Sequence, residues 1–302
     1  MGPDGGSLLF ANGGPGSEDR GDPYDIVLID VLERPDRLGD LRRRGLVGEG
    51  TQVVAVGLDH RVASERELER RLAFWGAVAV PDGTVLRTGG EHSGDRHSDD
   101  RHSDDWAIRR VPPRRTLLLG GSRSGKSAEA ELRVAAEPDV TYVATGPSRD
   151  DDPDWAARVK AHQTRRPAHW RTLETTDLAT VLTTETGVLL IDAIGTWLTA
   201  VIDAANAWPP STPDSPSGSS VEDHEAAIQA VRRECDALID AWRQTTARAV
   251  VAVSDEVGLG LIPPTPGGRL FRDLLGDLNQ SLATQSEDAA LVVTSRVIPL
   301  PA

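Results

Sequence analysis

Thr116–Ser127 reads TLLLGGSRSGKS, and this stretch decides the fold. Leu117, Leu118 and Leu119 form the short apolar run expected of a strand buried on both faces. Gly120 to Ser127 then matches G-x-x-x-x-G-K-[ST], and AEAELRVAAE (Ala128 to Glu137) continues in helix-forming residues. Strand, glycine loop and helix in that order are the context that gives the motif its meaning as a phosphate-binding loop. A chance match in a chain with 29 glycines would lack these flanks.

The loop chemistry explains the residue types. Gly120, Gly121, Ser122, Arg123, Ser124 and Gly125 let the backbone curl until successive N–H groups point inward, at the positive end of the helix that follows. Lys126 is placed to reach the outer phosphates of ATP or GTP as a point charge. The hydroxyl of Ser127 is a candidate ligand for the accompanying Mg²⁺.

The totals narrow the class. With 47 acidic against 33 basic residues the net charge is −14, which argues against a nucleic-acid partner, since such a partner requires a basic face. A single cysteine, Cys235, rules out an internal disulfide and suits a reducing compartment. No apolar run approaches the roughly 20 residues needed to span a bilayer, and the amino-terminal stretch lacks the blocks of a signal peptide. A cytoplasmic enzyme is the expectation.

Downstream of the loop, strands and helices alternate over residues 116 to 302, which predicts an α/β domain with a mostly parallel sheet covered on both faces. VTYVAT (Val140 to Thr145) reads as a strand, and Gly146, Pro147 and Ser148 in the loop after it are candidate nucleotide contacts. Asp152 and Pro153 start a helix that runs to His162. GVLLIDAI (Gly187 to Ile194) is an apolar strand closing on Asp192, the Walker B arrangement in which a carboxylate holds Mg²⁺ directly or through water. The long helix from Val221 puts Ile228, Val231, Cys235, Leu238 and Trp242 on one face, making Cys235 a core residue. AALVVTS reads as the last strand.

Upstream, residues 1 to 22 are expected to be disordered or frayed, with SLLFA (Ser7 to Ala11) alone resembling a strand. Residues 23 to 88 read as a small α/β segment: YDIVLIDV, TQVVAVGLDH and AVAVPDGTVL as strands, with two helices between them. Asp30, Asp59 and His60 fall at strand ends, where a metal is conceivable, although a solvated strand end is the expected reading. Residues 89 to 115 carry RHSDD twice in tandem and read as a flexible linker, in which His92, His97 and His102 recur every five residues and could bind a metal loosely, although a solvated low-complexity spacer is the expected reading.

HQTRRPAHWRTLE (His162 to Glu174) narrows the reaction. With GGSRSGKS, YVAT, LLIDAIGTWLT, VSDEVGLGLIP and RLFRDLLGDLNQSLA, all in order, the chain over Thr116 to Ala302 resembles the bifunctional adenosylcobinamide kinase/adenosylcobinamide-phosphate guanylyltransferases of cobalamin biosynthesis. The resemblance implies a RecA-like P-loop domain assembled as a homo-oligomer, a trimer, with adenosylcobinamide and its phosphate as acceptors. It further implies that His162 is the nucleophile taking GMP from GTP, and that Gln163, Thr164, Arg165, Arg166 and Glu174 contact the nucleotide. His169 has the weaker claim. Asp255, Ala193 and Gly195 depart from the residues usual in that family. The segment before the linker resembles the carboxyl-terminal part of a metallo-β-lactamase-like domain without its metal signature. A P-loop kinase without guanylyl transfer and a nucleotide-binding regulatory protein are the alternatives.

Overall fold

The computed structural model describes residues 6–11, 21–88, 114–146, 166–210 and 221–301. The chain divides into two compact units, one of Met1–Pro112 with Leu132–Asp139, the other of Pro113–Glu131 with Val140–Ala302.

The first unit holds β1 (Leu8–Phe10), β2 (Ile26–Ile29), α1 (Pro35–Arg43), β3 (Gln52–Ala55) and α2 (Glu65–Trp75). The strands form one parallel sheet in the order β1-β2-β3. Val27, Ile29, Leu38, Leu41 and Trp75 are fully buried in its core. β1 lies within the stretch expected to fray. It is fixed because the Asp25 carboxylate accepts hydrogen bonds from Ser7 N at 2.7 Å and Ser7 Oγ at 2.8 Å. A correction falls on AVAVPDGTVL, where Val78 alone makes a bridge, to Val54. Pro81 brings no N–H donor, the chain turns so that Thr84 N donates to Pro81 O, and Val85 is left 79% exposed.

The second unit is built on β4 (Arg115–Gly120), α3 (Lys126–Val134), β5 (Val140–Ala144), β6 (Arg171–Glu174), α4 (Leu178–Thr184), β7 (Val188–Asp192), α5 (Ile194–Ala204), α6 (Val221–Gln244), β8 (Ala249–Asp255), α7 (Pro266–Thr284), β9 (Asp288–Val293) and β10 (Arg296–Leu300). Its seven strands run β10-β9-β4-β8-β7-β5-β6, all parallel except the β9–β10 pair. Leu117, Leu189, Ile191, Val250 and Ala252 from the central strands are buried with Leu198, Val231, Leu238, Trp242 and Leu278 from the helices. The sheet is therefore the mostly parallel α/β sheet of a P-loop domain. The final strand is a correction: β10 follows AALVVTS through a two-residue turn in which Thr294 and Ser295 have φ of 47° and 60°. Glycine or asparagine ordinarily signals such a turn, and Pro299 is tolerated in β10 because that strand is an edge.

The predicted stripe of α6 is in place, with Val231, Cys235, Leu238 and Trp242 buried and Ile228 packed against the same core. Burial pushes the Cys235 thiol up to about 12, the neighbouring Asp236 and Glu234 adding to the shift. Because the thiolate is the reacting species, the native protein is expected to leave Ellman's reagent unreacted at pH 8 and to consume one equivalent on unfolding. Reaction of the native protein at the rate of a free thiol would show that α6 is not packed as described.

Candidate active site

The parallel register brings the carboxyl ends of five strands to one rim. Gly120 of β4 pairs with Asp255 of β8, Asp192 of β7 with Val253 of β8 and Ala144 of β5, and Ala144 with Glu174 of β6. Ligands of open α/β sheets bind at this edge. The rim carries four of the residues that the sequence singles out: the glycine that opens the P-loop, Asp192, Glu174 and Asp255.

The P-loop is shaped by backbone conformation and by close packing. Arg123 and Gly125 adopt φ of 57° and 95°, Ser124 N donates to Gly121 O at 3.2 Å, and Glu129 N donates to Gly125 O at 3.0 Å as α3 begins. A Cβ on Gly120 would lie 2.5 Å from Ser124 Oγ and 2.6 Å from the Val292 carbonyl oxygen. Gly125 is equally confined, since a Cβ there would lie 2.6 Å from Ser295 Oγ. Ser295 N also donates to Ser124 O at 2.7 Å. The tip of the β9–β10 hairpin therefore braces the loop from behind. No feature of the sequence announces this role for Ser295.

Asp192 is fixed from two sides. Its Oδ2 accepts from the Tyr142 hydroxyl at 2.8 Å. The residue after it, Ala193, is clamped by two threonines: Thr145 Oγ1 and Thr196 Oγ1 donate to Ala193 O at 2.6 Å and 2.8 Å. Burial, reinforced by the charge of Asp192, raises the Tyr142 phenol far above its ordinary range, so Tyr142 stays a neutral donor to the carboxylate. The guanidinium of Arg166 lies over the Tyr142 ring, 3.2 Å from its centroid, and Arg166 Nε is 4.0 Å from Glu131 Oε1 on α3. Arg166 is thus brought beside the Walker B strand. Tyr142, which connects the two, is a site residue that sequence reasoning missed, because an aromatic inside an apolar strand reads as core.

Lys126 Nζ meets Asp255 Oδ1 at 2.8 Å and donates to Gly121 O at 3.1 Å. Gly195 adjoins the same carboxylate, since a Cβ there would stand 2.6 Å from Asp255 Oδ2. Gly195 and Asp255, far apart in the chain, therefore adjoin one another. The Ser127 hydroxyl and the Asp192 carboxylate are hard oxygen donors of the kind Mg²⁺ takes, which fits the implied metal.

Pro147, Ser148, His162, Gln163, Thr164 and Arg165 lie outside the described residues, as do the Asp152–Pro153 helix start and the linker histidines His92, His97 and His102. His169 Nε2 and Trp170 Nε1 are buried with no hydrogen-bond partner among the described residues. In the first unit, Arg61 fills the place where a metal was conceivable: it contacts Asp30 Oδ2 and Asp59 Oδ1, both at 2.8 Å. Among the described residues no group of His, Cys, Asp and Glu is arranged to hold a metal, and no helix is long and apolar enough to cross a membrane.

The model of one protein family, described as cobinamide kinase / cobinamide phosphate guanyltransferase, matches residues 116–300. The chain belongs to that family. The bifunctional adenosylcobalamin biosynthesis protein CobU of Salmonella typhimurium is 36% identical over 182 residues, 59% of this chain and 94% of its own length. CobP of Pseudomonas aeruginosa, also described as a bifunctional adenosylcobalamin biosynthesis protein, is 35% identical over 192 residues, 62% of this chain and 96% of its own. A solved type III secretion ATPase aligns at a TM-score of 0.30 and 12% identity, over 59% of this chain and 50% of its own, too weak a likeness to bear on the fold. The family match begins at the strand that leads into the P-loop, so the cobinamide kinase family region coincides with the seven-stranded sheet and leaves the three-stranded sheet outside it.

Proposed function

We propose that the chain carries both activities for which its family is named. It phosphorylates the hydroxyl of adenosylcobinamide with ATP or GTP, then transfers GMP from GTP to the phosphorylated corrinoid to give adenosylcobinamide-GDP. The observation that carries this reading is the rim itself, where the P-loop and Lys126 follow β4 and Asp192 ends β7, the two strands that flank β8, within the region matched by the family.

In the first step the P-loop amides and Lys126 bind the triphosphate, and the acceptor oxygen attacks the γ-phosphorus as the nucleoside diphosphate leaves. Ser127 and Asp192 would hold a Mg²⁺, which when bound would supply charge neutralisation on the phosphate oxygens. Tyr142 keeps Asp192 oriented by donating to one of its oxygens. In the second step a neutral imidazole nitrogen of His162 attacks the α-phosphorus of GTP and pyrophosphate leaves. A phosphate oxygen of the corrinoid then attacks that phosphorus, and the P–N bond breaks as the imidazole is protonated. Arg165 and Arg166 offset the charge that grows on the phosphate oxygens, and Glu174 accepts hydrogen bonds from the guanine edge.

A homo-oligomer, a trimer, working in the cytoplasm completes the proposal. In its support, the loop after β8 leaves Leu259, Leu261 and Ile262 exposed at 80%, 96% and 69%, an apolar tip of the kind that a second copy would cover.

The test is incubation of the purified protein with Mg²⁺ and GTP labelled at the α-phosphate. Protein-bound label that survives alkali and is released by acid is the expected result. GTP binding without any label would remove guanylyl transfer and leave a kinase.

A further inference from the structure

Lys126 is the residue on which the outer phosphates depend, yet its ammonium is already engaged by a carboxylate. Asp255 Oδ1 stands 2.8 Å from Nζ, and the two side chains are 36% and 12% exposed, so this is a half-sheltered ion pair at the mouth of the loop. The strand end that carries Asp255 is held in place. Asn279 Nδ2 donates to the Asp255 carbonyl at 3.0 Å, and the buried Ser254 hydroxyl is within 2.6 Å of Asn279 Oδ1.

Gly195 supplies the second observation. It lies in the first turn of α5 without a positive φ, so no backbone conformation there calls for glycine, and a helix favours almost any other residue. What glycine provides is space, because a Cβ would come within 2.6 Å of Asp255 Oδ2.

We propose that Asp255 is a positioning residue that holds Lys126 as its counter-ion, and that Gly195 is the gap admitting its carboxylate. The proposal rests on the reading of the P-loop as a nucleotide site. Asp255 and the nucleotide's outer phosphates compete for one ammonium, so triphosphate binding exchanges one anion for another at Lys126. The carboxylate thereby weakens nucleotide binding, in return for a lysine already directed at the loop.

Isothermal titration of ATP into the full-length protein tests this, with the melting temperature of each variant recorded. Asp255→Asn keeps the shape and removes the charge, and it is expected to tighten ATP binding by about three- to tenfold, the modest range suited to a partly screened pair. Gly195→Ala forces the carboxylate off its position and is expected to tighten binding in the same direction. The double variant should bind no more tightly than the stronger single one, because both changes remove the same competitor. Weaker ATP binding by Asp255→Asn at an unchanged melting temperature would overturn the proposal by showing that the carboxylate serves the nucleotide. Unchanged affinity in both single variants would reduce the pair to a surface contact. Absence of ATP binding by the wild type would instead defeat the nucleotide-site reading.

Discussion

A His162→Ala protein incubated with Mg²⁺ and α-labelled GTP is expected to carry no covalent label while still binding ATP, since the P-loop amides and Lys126 that hold the outer phosphates are untouched. Few side chains can both carry a nucleotidyl group and release it again. An imidazole near its ordinary pKa is neutral in a useful fraction at pH 7, attacks phosphorus through a ring nitrogen, and becomes a good leaving group once protonated. Alanine offers no nucleophile, and water in its place would release free GMP and leave the protein unlabelled. Arg166, downstream in the same segment, lies over the ring of Tyr142, whose hydroxyl donates to Asp192, so the segment's cationic end is anchored beside the carboxylate expected to hold the metal. Retention of label in His162→Ala would reassign the nucleophile, with His169 the next residue to replace. Acid lability separates either phosphoramidate from an ester on serine, threonine or tyrosine.

The central sheet and half of the rim are legible in the chain because their signals are local. A run such as Leu117 to Leu119 before a glycine loop leaves little choice of structure, since the chemistry of phosphate binding fixes residue types within eight positions. Asp192 is legible for a similar reason, as an acid that ends a strand otherwise buried along its length. Tyr142, Ser295 and the pairing of Asp255 with Lys126 are not legible, because each acquires its role through sheet register. Asp255 lies far from Gly120 in sequence and beside it only because β4 and β8 are adjacent and parallel. The β9–β10 turn hides for a different reason. Thr294 and Ser295 adopt a conformation that costs non-glycine residues energy, and the bond from Ser295 N to Ser124 O, invisible in the sequence, helps to hold it. In the first unit, β1, the one strand-like stretch of an end that otherwise reads as disordered, owes its order to the pairing of Ser7 with Asp25, the residue just before β2.

That same hairpin contact sets the largest structural sensitivity of the P-loop. Gly125→Ala is expected to weaken ATP binding by at least about tenfold and to lower stability by roughly 1–3 kcal/mol, the usual cost of holding a side chain in a sparsely populated backbone region. Two effects combine at this position. The first is conformational: φ is 95°, which alanine adopts only with strain. The second is steric: the new Cβ would come within 2.6 Å of Ser295 Oγ and 3.2 Å of Ser295 Cα. A flexible hydroxyl can rotate away, but the backbone of a two-residue turn cannot, so the loop itself must shift and turn its N–H groups out of line with a phosphate. Adding Ser295→Gly separates the two effects. It removes the hydroxyl and its Cβ but leaves φ unchanged, so it is expected to recover part of the lost stability and only part of the affinity. Gly121→Ala is the stability control, because a Cβ there meets nothing within 4 Å and should leave the melting temperature in place. If Gly125→Ala bound ATP as the wild type does, the close approach of the β9–β10 turn would not be what shapes the loop. Complete recovery of affinity in the double variant would assign the whole effect to the contact with Ser295 and none to the backbone.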